Sequence, residues 1–150
     1  MPIQTDDPAS HLSFVILKAK PYQSSENPTM NTENRTPSFP SFYADAPSVT
    51  LRDPLAQFLG AAEGGLMTYH YADAVRLAGH SCPTVAGTWL MTLHALRALY
   101  GDALPVRGEI EVSLSDARDA GATGVMASVA QLVTGAAPET GFHGIGGRFG

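Results

Sequence analysis

The longest regular pattern in this chain runs from Pro83 to Tyr100. Val85, Ala86, Trp89, Leu90, Met91, Leu93, Leu96 and Leu99 leave few polar positions in it. Spread over a 3.6-residue period, they predict a helix apolar on almost every side, hence a buried central one. The polar exceptions are ordered. Thr84, Thr88 and Thr92 recur every four residues and form a narrow stripe, with Gly87 beside it. Threonine hydroxyls so placed bond back to carbonyls one turn earlier. The competing reading is that the small residues admit another backbone or a ligand. His94 and Arg97 mark the wetter flank. Gly101-Asp102 closes the helix and Pro105 prevents its resumption.

Other elements follow on both sides. Asp53-Pro54 reads as an N-cap with proline at the first helical position. Leu55, Phe58 and Leu59 share a face, which predicts a short helix to about Ala62, ended by Gly64-Gly65. Residues 66–71 predict a short strand or an extended lead-in, and 73–78 a short helix stopped by Gly79. Residues 109–114 alternate strictly: Ile110, Val112 and Leu114 on one face, Glu109, Glu111 and Ser113 on the other. That predicts a half-buried strand. Asp116 and Asp119 follow, as caps or as ligand positions. Val125, Val129, Leu132 and Val133 form the inner stripe of a last helix, stopped by Gly135.

The fold class is therefore α+β, with a small sheet packed against a long buried central helix. Structure is expected from Val49, giving one core domain over 49–150. A lone strand is marginal. Either 66–71 pairs with 109–114, or the chain has been cut before further strands, as the five glycines of 141–150 suggest.

The first forty-eight residues differ from the rest. Between 21 and 48, Pro, Ser, Thr and Asn fill sixteen of twenty-eight positions, too little apolar surface to offset the entropy of ordering. A disordered tail over 1–48 is expected, and Met30 offers an alternative start within it. Asn34-Arg35-Thr36 matches a glycosylation acceptor, but 12–17 lacks the order of a signal peptide, with Lys18 and Lys20 after the apolar patch. The net charge of −5, without a Lys/Arg cluster, argues against a nucleic-acid partner. One cysteine makes no internal disulfide. No apolar run reaches the roughly 18–20 residues of a membrane span. The reading is a cytoplasmic protein.

Candidate chemistry gathers at Ala78-Gly79-His80-Ser81-Cys82-Pro83-Thr84. Pro83 suits a first helical turn, which sets Cys82 at the N-cap. There the unpaired N–H groups and the positive end of the helix dipole favour thiolate. Three readings compete. In the first, Cys82 and His80 hold a divalent metal, most naturally zinc, which takes thiolate and imidazole and needs three protein ligands at a catalytic site. His143 in the glycine-rich end is the expected third, with Asp116 and His70 as further candidates. In the second, Cys82 is a nucleophilic thiol without metal. In the third, both residues are structural. His70 and His94 read as ordinary histidines.

Gly79-His80-Ser81-Cys82-Pro83, the long apolar helix behind it, the 109–114 segment and Gln131-Leu132-Val133-Thr134-Gly135 together resemble the FmdE-like family, named after a component of formylmethanofuran dehydrogenase. The resemblance covers roughly residues 50–150. It implies an α+β core and an intertwined homodimer. Many members have no established activity, and some carry a C-terminal zinc-finger domain, for which this sequence has no CxxC pair. This chain departs from the family pattern in several places. Ala78 stands where members commonly have a first histidine, Thr84 where they have glycine, and Ala136 near where they have a further cysteine. The multi-cysteine form of the site is lost. The expected function is an FmdE-like domain with a metal or thiol site at His80-Ser81-Cys82 and an unknown small-molecule ligand. The alternative is a non-catalytic component of a larger assembly, or an interaction module.

Overall fold

A computed structural model describes residues 39–146, 148 and 149. The Met30 start, the Asn34–Thr36 motif and the tail up to residue 38 lie outside the described residues. The architecture is α+β, with a long helix packed among shorter ones and a two-stranded antiparallel sheet.

The described residues before Val49 also pack onto the fold. Ser41–Asp45 forms a short 3-10 turn. Tyr43 sets its ring edge-on to Tyr71, 5.2 Å between centroids, and Phe39 stacks on Tyr43. Phe39 and Tyr43, set among prolines and serines, thus pack against the core while partly exposed.

The sheet consists of β1 (Val49–Arg52) and β2 (Leu66–Tyr69), with Leu51 opposite Met67. The expected partner of 66–71 was 109–114, and β1 takes that place instead. Between the strands lies helix α1 (Pro54–Phe58), shorter than expected. Asp53 caps it by accepting from the Ala56 N–H at 3.0 Å. Gly65 then brings the chain back so closely that its carbonyl accepts from the Asp53 N–H at 2.7 Å. Its φ of +71° lies in the left-handed region, and a Cβ there would meet the Asp53 carbonyl oxygen at 2.5 Å. Only glycine fits.

Helix α2 (Tyr71–Ala78) is opened by Asp73, whose carboxylate accepts from the His70 backbone N–H at 2.8 Å while its own N–H donates to the His70 carbonyl at 2.9 Å. Helix α3 (Pro83–Tyr100) runs through the centre and packs on α2 and on α4 (Thr123–Thr134). The core is Leu51, Tyr71, Ala74, Val75, Val85, Trp89, Leu96, Val129 and Val133. Trp89, 1 % exposed, donates its indole N–H to the Pro47 carbonyl at 3.0 Å. Burying a side chain of the Val or Leu class contributes ~1.5–3 kcal/mol, so these residues dominate the stability of the domain.

α3 is not buried all round. One side carries Val85, Thr88, Trp89, Thr92 and Leu96, while Leu90, Met91 and Leu99 stay exposed. The threonine stripe bonds back as the first reading predicts: Thr88 Oγ1 donates to the Thr84 carbonyl and Thr92 Oγ1 to the Thr88 carbonyl, both at 2.8 Å. A Cβ on Gly87 would meet nothing within 4 Å, so no other backbone among the described residues approaches there.

The 109–114 segment is not a strand in this structure. Its chain runs beside β1 only at 105–107, where Arg52 donates to the Pro105 carbonyl and Arg107 to the Arg52 carbonyl. Gly108 then donates to the Thr134 carbonyl at 2.9 Å, which draws the chain towards the end of α4 and off the sheet. Asp116 and Asp119 do not cap α4 either, because its N-cap is Ala122. Gly135 ends α4 as predicted.

Candidate functional site

The candidate site is built where α2 stops and α3 starts. Gly79 takes a left-handed conformation at the end of α2, its N–H on the Val75 carbonyl. The chain turns, and Cys82 enters α3 as its N-cap in extended geometry, with Pro83 next. Ser81, between them, is tied down: its Oγ lies 2.7 Å from the Tyr71 hydroxyl, and Tyr71 is itself a core residue. A buried tyrosine thus anchors the loop that carries both chemical groups.

Cys82 is partly buried and rests against the core, and His80 is exposed. The Cys82 thiol is held below its ordinary value. The Val85 N–H at the start of α3 is the largest cause, partial burial opposes it, and His80 and the Thr84 N–H add to the lowering. His80 is shifted the other way. Its Nδ1 lies 2.9 Å from the Ala78 carbonyl, which favours a proton there, and Cys82 adds to that effect. Each side chain favours the charged form of the other. The unpaired N–H groups of a helix start are the physical origin of the larger share.

The other sequence-predicted residues lie elsewhere. His143 places Nε2 2.8 Å from the Glu139 carbonyl, in a groove lined also by Asp116, Ser128 and Gln131. Among the described residues, no group of three or more His, Cys, Asp or Glu side chains is arranged to hold a metal ion. His143 and Asp116 share a groove that neither His80 nor Cys82 lines, and His70 meets Asp73 through its backbone N–H. Two donors fall short of the three protein ligands of a catalytic zinc site. His94 is exposed on α3.

Sequence reasoning missed a side chain that ties distant parts of the fold together. Arg107 donates through Nη1 to Asp53 Oδ2 at 2.9 Å and reaches the Leu132 carbonyl and the face of Tyr69. No local pattern marks a pair so far apart in sequence. Among the described residues, no helix is long and apolar enough to cross a membrane. No family model, curated protein or solved structure matches the chain.

Proposed function

We propose that this chain is an FmdE-like domain, akin to the formylmethanofuran dehydrogenase component of that name, that works as a homodimer and carries its chemistry on Cys82 and His80. The observation that carries the reading is the mutual arrangement of these two groups at the start of α3. Backbone N–H groups and a neighbouring imidazole lower the thiol, while the loop between them is anchored to Tyr71. A thiolate at neutral pH is a nucleophile towards an electrophilic carbon of a small ligand. His80 returns or accepts the proton. Cys82 is partly exposed.

The second reading keeps the same two residues as ligands of zinc or another divalent metal. The favouring observation is chemical: thiolate and imidazole beside each other are the natural donors for zinc. That reading requires a third donor from outside the grouping seen in one chain.

Two measurements on the protein purified without chelator and without an affinity tag test these readings. Iodoacetamide should modify wild-type Cys82 faster at neutral pH than it modifies free cysteine, as followed by mass spectrometry. An alkylation rate no greater than that of free cysteine overturns the thiolate reading. Elemental analysis giving about one metal per chain, lost in both Cys82→Ala and His80→Ala, establishes the second. An inert thiol with no metal leaves an interaction module, which should still self-associate in Cys82→Ala.

A further inference from the structure

Residues 110–114 have the sequence of a strand and, among the described residues, no strand to pair with. Among the described residues, no backbone hydrogen bond is made by any N–H or C=O from Ile110 to Leu114. Ile110 rests against the core, so the segment is anchored at one end. Beyond it, Val112 is 37 % and Leu114 39 % exposed. Both line a groove of about 1030 Å³ between this segment and α4, where Phe142, 53 % exposed, also contributes. A segment of strand-like alternating sequence whose backbone groups are unpaired among the described residues is a template for strand addition.

The sequence of the segment says what would pair with it. Opposite residues in an antiparallel pair point to the same face, and like charges directly opposite each other are unfavourable. Consider pairing of the segment with its own copy. A register centred on Glu111 sets Glu111 against itself, and one centred on Ile110 sets Glu109 against Glu111. A register centred on Val112 avoids both. It sets Val112 against Val112, Ile110 against Leu114, Glu111 against Ser113 and Glu109 against Ser115. Every apolar residue then meets an apolar residue, and every glutamate meets a serine. Within one chain, Ser113 Oγ already lies 3.5 Å from a Glu111 carboxylate oxygen. A register centred on Ser113 would instead bring Ile110 against Asp116.

We propose that residues 109–115 pair antiparallel with the same residues of a second copy, across a twofold axis at Val112. The partner is thus another copy of this chain, and the interface is isologous. The paired strands place Ile110, Val112 and Leu114 of both copies on one shared apolar face. This inference rests on the homodimer in the proposed function and specifies its interface.

The test uses the full chain. Sedimentation equilibrium should give a dimer for the wild type and half that mass for Val112→Lys, which sets two ammonium groups against each other at the axis. Circular dichroism checks that the variant keeps its helices. In a Cys82→Ala background, Val112→Cys should form a disulfide-linked dimer under mild oxidation, because the two cysteines face each other. Ile110→Cys should not, since its copies lie about 14 Å apart along the strands at ~3.4 Å per residue, beyond disulfide reach. If Val112→Lys fails to fold, the cysteine pair decides alone. A monomeric wild type overturns both the interface and the homodimer. A folded Val112→Lys that stays dimeric, or cross-linking at 110 in preference to 112, overturns this interface and leaves self-association standing.

Discussion

Arg107 places Nη1 2.9 Å from Oδ2 of Asp53, while the other carboxylate oxygen of Asp53 caps α1. One buried carboxylate therefore ties the start of a helix to a loop 54 residues further on. Removing it affects both bonds at once. Asp53→Ala should cost about 1 kcal/mol for the cap and a further ~1–3 kcal/mol for leaving the guanidinium unpaired. Asp53→Asn keeps a capping oxygen and should fall between that variant and the wild type. Arg107→Met should cost less than Asp53→Ala. It removes the charge together with Nε, a buried donor with no partner among the described residues. Urea unfolding followed by Trp89 emission measures all three. Equal stability of Asp53→Asn and wild type would mean that the ion pair contributes nothing.

This bond also marks how far the sequence could be read. Local signals were legible because their physics is local. Asp53-Pro54 opened a helix, Pro83 opened the longest one, and Gly79 and Gly135 ended theirs. The placement of Cys82 at the start of α3, with His80 beside it, follows from the same kind of signal. Pairings set by distant partners were not legible. β2 pairs with β1 because the chain returns through Gly65, which no periodicity announces. Residues 109–114 alternate like a strand, yet the Gly108–Thr134 hydrogen bond takes them off the sheet. The placement of His143 beside the Glu139 carbonyl was not legible for the same reason, because a glycine-rich end gives no direction.

Gly65→Ala tests the close return to β1. The methyl would sit 2.5 Å from the Asp53 carbonyl oxygen at a φ of +71°. The left-handed conformation alone costs ~1–2 kcal/mol for an L-residue, and the overlap adds about as much again. Thermal unfolding should therefore shift down by roughly 8–16 °C, at about 4 °C per kcal/mol for a domain of this size. A shift of a degree or two would mean that the return is looser than described.

Gly87→Ala should do the opposite. The glycine lies in the interior of α3, and a methyl there meets open space. Alanine is favoured over glycine in a helix by ~0.8–1 kcal/mol, so the variant should unfold at a higher temperature by several degrees. Loss of stability would show that something outside this chain packs against that side of α3, and would revive the reading of Gly87 as a point of close approach.

The pH dependence of Cys82 alkylation separates the helix contribution from the histidine contribution. Thiolate is the reacting form, and a free thiol gains it around pH ~8.5. In the folded protein the Cys82 thiol is lowered, so the rise in alkylation rate should come at lower pH than in the same protein unfolded in urea. His80→Ala removes one cause and leaves the larger one, the Val85 N–H, in place. Its profile should therefore move up in pH only part of the way towards the unfolded one. The sign is set by charge: above the pH at which His80 loses its proton, it no longer favours the thiolate, and the two profiles should converge. Identical profiles for the wild type and His80→Ala would show that the imidazole has no influence on the sulfur, leaving the start of α3 as the sole cause. A wild-type profile that coincides with the unfolded one would show that α3 does not activate the thiol either.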